Sequence, residues 1–428
     1  MKTVWRNWAG EQYCAPSEIV RPASEAELAE LVAKAGQRGE RVRAVGSGHS
    51  FTDCACTDGV MVDMAGMQRI VNVDPEAGLA TVEGGAKLRP LFSQLAEHGL
   101  ALENQGDIDK QSITGATATA THGTGARFAN VSAQIVALRL VTASGEVLEL
   151  SEGDDYLAAR VSIGALGVIS QLTLKVVPLF TLHRDDELKP LAETLERLDE
   201  HVDNNDHFEF FVFPYAETAL TRTTRRSEEP PMPVPEWRRR VGDQFENVGL
   251  GLVCRTGRQF PSTAPKLNRL LTSLMSPSSV QDRGWKVYPS PRNVKFTEME
   301  YAIPRENARE AVRRVIEVVR RRDLPIMYPL EVRFSAPDDA FLSTAYERDT
   351  CYIAVHQYTG MEFETYFRAV EAIMDEYGGR PHWGKRHYQR AASLRERYPA
   401  WDRFTAVRDR LDPNRVFVND YTRRVLGA

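Results

Sequence analysis

Apolar residues recur at helical spacing in several segments of the chain. The first predicted helix lies within residues 22–40, where Ser24 and Glu27 have the spacing of a capping box and Gly39 ends the pattern. Its apolar stripe consists of Leu28, Leu31, Val32 and Ala35. The segments RENAREAVRRVIEVVRRR (305–322) and EFETYFRAVEAIMDEYGG (362–379) predict two further amphipathic helices.

Short apolar runs and alternating patterns predict strands on both sides of residue 178. Before it, we expect a strand at 42–45, a hairpin over 135–150 that turns at Ser144–Gly145, and a strand from Val168 onward. After it, HFEFFVFPY (207–215) and TCYIAVHQY (350–358) read as strands. The change of pattern predicts three units, 1–178, 179–380 and 381–428, and the proline-rich run 227–237 predicts a surface loop or lid.

Composition narrows the class of protein. The 428 residues are 42% apolar and 26% charged with a net charge of −5, which leaves no basic surplus for nucleic acid. The sequence has no apolar run long enough to span a membrane and no secretory pattern at its start. The five cysteines lack zinc spacing, so we expect no metal and free thiols in a reducing cytoplasm.

A glycine turn, VGSGHS (45–50), follows the strand at 42–45 and contains His49. The turn lacks the third glycine and the following helix of a dinucleotide fingerprint, and it lacks the Gly-Lys-Ser/Thr of a phosphate loop. What remains is a nest of backbone N–H groups that can hold a pyrophosphate with help from Arg43 and Ser47, or a plain tight turn.

Two further segments combine small and hydroxyl residues. GATATATHGTG (115–125) lets a backbone approach a flat ligand closely and supplies hydroxyl hydrogen bonds; its other interpretation is a threonine-rich strand, which the interleaved alanines fit poorly. GALGVIS (164–170) leads into the strand that begins at Val168.

Charged residues near the carboxyl-terminal half suggest a reaction centre. Glu331 and Arg333 are two apart on a predicted strand, so their side chains face the same way, either as a surface ion pair or as a partly buried functional pair. Lys385 follows a Trp-Gly turn in PHWGKRHYQ (381–389), among aromatic residues and beside His387. His356 lies in an apolar strand and fits either a core histidine or a site residue.

Taken together, VGSGHS, GATATATHGTG and GALGVIS resemble the flavin-binding segments of vanillyl-alcohol-oxidase-type flavoproteins. The whole chain is most similar to their aldonolactone oxidoreductase branch. The resemblance implies an α+β, two-domain FAD-binding fold of the PCMH/VAO type. Its second domain, 179–380, is a cap with an antiparallel sheet, and its last segment, 381–428, returns to the flavin.

The resemblance also implies a cofactor and its contacts. FAD would be joined covalently through its 8α-methyl group to His49, and Gly106 would occupy a position that controls access of oxygen to the flavin. The other implied FAD-binding residues are Arg43, Val45, Gly46, Ser47, Gly48, Ser50, Asp107, Gly115, Ala116, Thr119, Thr121, His122, Gly123, Gly167, Ile169, Lys385 and His387.

The implied reaction is oxidation of the C2 hydroxyl of an aldono-1,4-lactone, L-gulono-1,4-lactone above all, by hydride transfer to flavin N5, giving an ascorbate-type product. The resemblance implies Glu331, Arg333 and Lys385 as catalytic residues, and the chemistry of its side chain adds His356 as a candidate. The general base stays open among Glu331, Lys385 and His356. An alditol or nucleoside alcohol as substrate, or a non-catalytic flavin-binding protein, are the alternatives. The acceptor, namely oxygen, a cytochrome or a quinone, and any peripheral membrane association stay open.

Overall fold

The computed structural model describes residues 3–289 and 294–427. Its amino-terminal 178 residues contain short strands and four helices. The strands are β1 (Trp5–Arg6), β2 (Tyr13–Cys14), β3 (Glu18–Val20), β4 (Val42–Val45), β5 (Val60–Asp63), β6 (Ile70–Asp74), β7 (Leu79–Glu83), β8 (Leu100–Ala101), β9 (Ile135–Val141), β10 (Val147–Leu150), β11 (Val168–Lys175) and β12 (Val177–Pro178). The helices are α1 (Glu25–Gln37), α2 (Leu88–Glu97), α3 (Ile113–Ala118) and α4 (Gly153–Ala159).

Two sheets organise this region. A parallel sheet has the order β3-β5-β4 and packs on α1, whereas an antiparallel sheet has the order β10-β9-β11-β7-β6. The capping pattern of α1 is confirmed in modified form: the hydroxyl of Ser24 accepts from the amide of Glu27, whose carboxylate accepts from the amide of Ala23. The glycine turn follows β4 directly, so the parallel sheet fixes its position.

The remaining chain forms one large sheet with its helices, and then a helical tail. The strands are β13 (Thr181–Pro190), β14 (His207–Val212), β15 (Thr218–Ser227), β16 (Ser278–Arg283), β17 (Phe296–Pro304), β18 (Leu330–Ser335), β19 (Thr350–Tyr358) and β20 (Arg380–Pro381). The helices are α5 (Leu191–Glu196), α6 (Leu198–Asp203), α7 (Glu236–Gln259), α8 (Ala264–Leu274), α9 (Gly284–Val287), α10 (Ala308–Arg321), α11 (Glu364–Glu376), α12 (Ala391–Arg395), α13 (Trp401–Leu411) and α14 (Asp420–Leu426).

The large sheet is antiparallel, in the order β16-β13-β15-β14-β18-β19-β17-β20. Strand alternation separates its two faces. Apolar side chains such as Val332, Met299 and Val355 pack with α10 and α11 in one hydrophobic cluster. The alternate positions of the same strands carry buried polar groups on the other face, namely Glu209, Glu298, Glu300, Glu331, Arg333 and His356. The sheet therefore presents a charged face inside the molecule.

The tail returns to the amino-terminal region. The amide of Val42 donates to the carbonyl of Val416, and Trp383 is wholly buried in the same hydrophobic cluster as α2 and β11. The side-chain amide of Asn419 donates to the backbone carbonyls of Asp53 and two neighbouring residues. The segment after the glycine turn is therefore held by the last helix of the chain.

Most helix and strand predictions are confirmed, with shifts at their ends. The predicted helix over 305–322 begins only at Ala308, after a short 3₁₀ turn. The proline-rich run has no helix or strand over 228–235, but α7 starts at its end. The first residues of GATATATHGTG lie in α3 rather than in a strand. Among the described residues, no helix is both long and apolar enough to cross a membrane.

Candidate functional site

The glycine turn lies beneath the amino-terminal ribbon formed by β1 and β2. Trp8 stacks on the His49 ring with centroids 5.6 Å apart, and the Trp8 amide donates to the carbonyl of Gly48 at 2.8 Å. Burial lowers the pKa of His49 to about 4. The imidazole is therefore neutral at physiological pH, and a neutral imidazole keeps a nucleophilic ring nitrogen.

A cavity of ≈ 930 Å³ opens between this turn, α3 and the segment that enters β11. Eleven of the FAD-binding residues implied by the sequence line it, namely Arg43, Val45, Gly46, Ser47, Gly48, His49, Ser50, Gly115, Thr119, Gly167 and Ile169. The glycine turn and the two other flavin-type segments thus form a common wall.

The cavity wall has the properties that a bound dinucleotide needs. A Cβ atom at Gly46 would lie 1.9 Å from the hydroxyl oxygen of Ser112, so only glycine lets the turn approach α3 this closely. The hydroxyl oxygens of Ser47 and Ser112 are buried at the wall and have no hydrogen-bond partner in the described part of the chain. Buried hydroxyls normally have a partner, and phosphate oxygens would supply one here. The cavity therefore fits FAD.

Arg43 lines this cavity and also has a structural role that the sequence did not indicate. Its guanidinium is buried and donates to backbone carbonyls of Cys54, Ile163, Gly164 and Phe417. These carbonyls belong to three separate segments of the cavity wall and tail. Arg43 therefore holds the wall together, and most of its donors are already used.

A second cavity, of ≈ 660 Å³, continues from the first. The two share four lining residues: His49, Ser50, Gln111 and Thr119. The second cavity is also lined by Gly106, Asp107, Thr121, His122, Glu331, Arg333, His356 and Lys385, all of which the sequence had placed at the site. The charged face of the large sheet thus closes one end of the FAD cavity.

Lys385 is the centre of this charged group. Its ammonium lies 2.6 Å from Glu298 Oε1 and 2.5 Å from Glu300 Oε2. Burial disfavours the charged ammonium, but the two carboxylates outweigh it and raise the pKa of Lys385. For Glu298, burial is likewise outweighed by Lys385 and His356, which bring the carboxyl pKa to about 2. The cluster is therefore fully ionised at neutral pH.

Two histidines flank the carboxylates on opposite sides. His122 Nε2 lies 2.6 Å from Glu300 Oε1, and its Nδ1 lies 2.8 Å from the carbonyl of Gly123. His356 Nε2 lies 3.1 Å from Glu298 Oε1, and its Nδ1 lies 3.2 Å from a backbone carbonyl. In each ring both nitrogens face oxygen acceptors. Neither histidine therefore offers a lone pair to a ligand in the cavity.

One group of side chains has the composition of a metal site. His122, Glu300 and His382 each bring a donor atom within 4.8 Å of the others. The Lys385 ammonium binds the same Glu300 carboxylate, however, and supplies the positive charge that a cation would bring. His382 Nδ1 also accepts from the amide of Gly384 at 3.0 Å. The group therefore acts as an internal salt-bridge cluster.

Arg333 lines the same cavity and lies between three carboxylates. Its Nε lies 2.8 Å from Glu209 Oε2, and one Nη lies 3.1 Å from Asp107 Oδ2 and also contacts Glu331. Although burial opposes its charge, Asp107, Glu331 and Glu209 raise the pKa of Arg333 well above its usual value. Both Glu331 and Arg333 are buried, so the surface ion-pair interpretation is wrong.

Three residues that the resemblance assigned to FAD lie outside both cavities. Ala116 packs in the hydrophobic core of the amino-terminal region because its side chain points away from the wall. His387 is buried against Trp383, with its Nε2 3.0 Å from the hydroxyl of Tyr421. Gly123 lines a separate polar cavity behind Arg333.

The structure adds polar residues that the sequence did not single out, above all Glu298, Glu300, Glu209 and Ser112. The strand FTEMEYAIP (296–304) did carry a signal, because two carboxylates alternate with apolar residues in an otherwise hydrophobic run. Buried carboxylates need partners. The sequence gives no comparable signal for their partner, since Lys385 is 85 residues away from Glu300.

Comparison with known families assigns both halves of the chain. Residues 16–151 match the model for the FAD binding domain, and residues 172–425 match the model for D-arabinono-1,4-lactone oxidase. The first match contains the glycine turn and α3, and the second contains the charged face of the large sheet and Lys385.

Individual relatives agree over the whole chain. The chain is 75% identical to L-gulono-1,4-lactone dehydrogenase of Mycobacterium tuberculosis, and the match covers 100% of each protein. It is 35% identical to L-gulonolactone oxidase of Bos taurus, over 98% of each chain, and 30% identical to alditol oxidase of a Streptomyces species, over 100% of each. Among solved structures, a solvent-stable cholesterol oxidase superposes with a TM-score of 0.82 at 17% identity, over 100% of this chain and 98% of the other.

Proposed function

The chain belongs to the D-arabinono-1,4-lactone oxidase family of FAD-dependent oxidoreductases, and we propose that it oxidises the C2 hydroxyl of L-gulono-1,4-lactone. The observation that carries this proposal is the ionised Lys385 cluster at the end of the FAD cavity. The name of the relative that is 75% identical supplies the particular lactone.

FAD, when bound, accepts the hydrogen that leaves the substrate carbon as hydride. The FAD phosphates would lie against the glycine turn and Ser112, where buried hydroxyl groups have no hydrogen-bond partner among the described residues. His49 lies at the junction of the two cavities, and its neutral ring would be the nucleophile for a covalent bond to the flavin. Such a bond would hold the ring at the mouth of the substrate cavity.

Lys385 stabilises the developing negative charge on the substrate oxygen. An ammonium has three N–H donors, and Glu298 and Glu300 take two of them. The third N–H has no partner among the described residues and is available to a ligand in the cavity. A fixed cation in a buried, water-poor site stabilises an oxyanion more than it would in water.

Glu331 is the proposed base for the hydroxyl proton. Of the three residues considered for this role, Lys385 is held charged by two carboxylates, and both nitrogens of His356 face other acceptors. Glu331 lines the cavity as a carboxylate, and Arg333 fixes its orientation. Arg333 thus acts mainly as a positioning residue for Glu331 and Asp107.

An alditol is the second candidate substrate, because the chain is also 30% identical to an alditol oxidase over its whole length. Both substrate classes present a hydroxyl beside a C–H bond, and the cluster of charges suits either. A nucleoside alcohol also presents a hydroxyl beside a C–H bond, so a comparison of substrates has to separate it from the other two. A flavin with a purely structural role would leave the ionised Lys385 cluster without a role.

Substrate choice is tested by the product. We would incubate the purified holoenzyme with L-gulono-1,4-lactone and an excess of an artificial electron acceptor and measure the enediol product. D-arabinono-1,4-lactone, an alditol and a nucleoside serve as parallel substrates. We expect the gulonolactone to react with the highest kcat/KM. Faster turnover of the alditol would move the assignment to that class.

The electron acceptor is tested by reoxidation of the reduced flavin. Gly106 lines the substrate cavity, and a Cβ there would lie 3.2 Å from the carbonyl oxygen of His122. A glycine leaves room for oxygen, so we expect recovery of the oxidised spectrum in air to slow in Gly106→Ala. If the enzyme instead uses a quinone or a cytochrome, recovery will be slow in air for both proteins and fast with that acceptor.

A further inference from the structure

The two carboxylates that hold Lys385 differ in what else they face. Glu298 lines the second cavity, whereas Glu300 is 2% exposed and is not among the residues that line it. Both oxygens of Glu300 are engaged by the protein itself: Oε1 lies 2.6 Å from His122 Nε2, and Oε2 lies 2.5 Å from Lys385 Nζ. Glu300 therefore affects a ligand in the cavity through its neighbours rather than by contact.

The backbone brings Lys385 to these carboxylates but does not aim its ammonium. The amide of His382 donates to the carbonyl of Glu300 at 3.0 Å, and the amide of Arg386 donates to the carbonyl of Glu298 at 2.9 Å. These bonds tie the segment 382–386 to β17 on both sides of Lys385. A lysine side chain is a flexible stem, however. The position of the ammonium in the cavity is therefore set by the groups that bind it.

His122 fixes the other oxygen of Glu300. Burial opposes the charge of this carboxyl, but Lys385 and His122 lower the pKa of Glu300 well below its usual value. An ionised carboxylate only accepts hydrogen bonds, so His122 Nε2 is the donor. The imidazole is itself held, because it stacks on Tyr352 with ring centroids 3.4 Å apart, and the Tyr352 hydroxyl donates to Asn130 Oδ1 at 2.9 Å. A chain of fixed side chains thus runs from Asn130 to Lys385.

We propose that Glu300, held by His122, is a positioning residue that keeps the Lys385 ammonium charged and aimed into the cavity. The part of Lys385 in the reaction rests on the proposed function, whereas its charge and position are properties of the folded protein. Glu300 does not touch the substrate; it fixes the cation that does. His122 acts one step further back.

The charge of Lys385 also depends on the titratable groups around the pair. They are Glu298, His122, His356, His382 and Arg333. His382 is neutral, because its Nδ1 accepts from the Gly384 amide and burial lowers the pKa of its ring to about 3. If Glu300 were neutral, only Glu298 would oppose the effect of burial, so the pKa of Lys385 should fall.

The first test follows the charge of Lys385 in the FAD-loaded protein without substrate. The lysines carry carbon-13 at Cε, and the loss of one signal in Lys385→Arg identifies that of Lys385. Since the pKa of Lys385 is raised, the wild-type signal should stay constant up to about pH 10.5, past the ordinary lysine value of about 10.4. In Glu300→Gln the signal should move with a midpoint below that value. A midpoint that is not lowered in the variant would overturn the role of Glu300.

The second test separates position from charge by single-turnover reduction of the flavin with L-gulono-1,4-lactone. Glu300→Asp keeps the charge but is one methylene shorter, so it no longer reaches both Lys385 and His122. We expect reduction to slow by about 10–10²-fold, the cost of misplacing a group by about 1 Å, with an unchanged pH profile. Glu300→Gln should also be slower and should lose further rate as the pH rises, because its Lys385 deprotonates.

His122→Phe tests the outer step, because it keeps a ring against Tyr352 but lacks the N–H. It should slow reduction without a change of pH profile. Glu371→Gln is the matched control. It removes the charge of another buried carboxyl, which accepts from the Tyr388 amide at 2.8 Å and lies outside both cavities, so it should keep the wild-type rate and pH profile. FAD content and the thermal midpoint are measured for each variant.

Two results would overturn the proposal: wild-type reduction in a folded, FAD-loaded His122→Phe protein, or equal pH profiles in Glu300→Gln and Glu371→Gln. If Glu300→Gln does not fold, a wild-type rate in Glu300→Asp would overturn it instead. A wild-type flavin that the lactone leaves oxidised would contradict the proposed function, and the titration of Lys385 would still decide the role of Glu300.

Discussion

Lys385 is the residue whose surroundings are most unusual in this protein. Its ammonium is buried, yet two carboxylates within 2.6 Å hold it charged. Removing one partner of a buried ion pair leaves the other charge uncompensated, which costs about 3–5 kcal/mol. Tests at this position therefore need a variant that keeps the charge.

Lys385→Met should lower the rate of flavin reduction by roughly 10²–10³-fold, the cost of losing one oxyanion donor. Lys385→Arg keeps a cation against Glu298 and Glu300, so we expect it to retain stability and recover part of the rate. The measurements are single-turnover reduction, FAD content and the thermal midpoint. Wild-type reduction in a folded, FAD-loaded Lys385→Met protein would remove Lys385 from the reaction.

His49 should carry the flavin covalently. Denatured wild-type protein should keep its flavin fluorescence after gel filtration, whereas denatured His49→Ala should lose it. The pH dependence has a definite sign: with a pKa lowered to about 4, the imidazole stays neutral above that pH. Attachment of FAD to the apoprotein should therefore be constant above about pH 5 and fall as pH drops through 4. A fall beginning near pH 6.5, the ordinary value for histidine, would show an exposed ring.

At the scale of elements, local pattern was enough for several helices and strands but not for the site. α1, α11 and β19 were predicted because their periodicity is local. The partners of Arg43 lie up to 374 residues away, so its structural role could not be read from the turn. For the same reason, Lys385 could be singled out from the sequence but its two carboxylate partners could not. Long-range pairing of strands decides such contacts.

The last helix, α14, holds the segment behind the glycine turn through one side chain. Asn419 caps the helix with its Oδ1, which accepts from the Thr422 amide, and its Nδ2 donates to three loop carbonyls. Asn419→Asp keeps the cap but loses the donor, and it sets a carboxylate against carbonyls. We expect a loss of at least about 2 kcal/mol in the free energy of unfolding.

Asn419→Ser, which also caps well, separates the two effects because it adds no charge. Its stability should lie between those of the wild type and Asn419→Asp in urea unfolding. FAD affinity of the noncovalent His49→Ala background should fall in the same order. Equal stability of Asn419→Asp and wild type would show that the loop does not depend on this anchor.

At the scale of the whole molecule, the proposed reaction centre is built from residues of two regions. The amino-terminal region supplies the FAD cavity and Asp107, and the large sheet supplies Arg333 and its neighbours. The contact between Asp107 and Arg333 spans 226 residues of sequence. Both regions must be in place before the substrate cavity has its charges.

We expect Asp107→Asn to weaken the contact between Asp107 and Arg333 that joins the two regions. Arg333 would keep Glu209 and Glu331 but lose its third carboxylate, so we expect flavin reduction to slow about tenfold, or about 1.4 kcal/mol. Asp206→Asn is the matched control, because it breaks an exposed ion pair with Arg127 that joins the same two regions. Equal effects of the two variants on reduction would contradict a specific role for Asp107.

The most direct measurement is the flavin spectrum of the purified holoenzyme, mixed anaerobically with L-gulono-1,4-lactone. The proposed reaction predicts rapid bleaching, slower bleaching with lactone deuterated at C2, and little reduction by an alditol at the same concentration. Each result follows from cleavage of the C2–H bond in the cavity beside Lys385. A flavin that stays oxidised with the lactone but bleaches with the alditol would contradict the assignment.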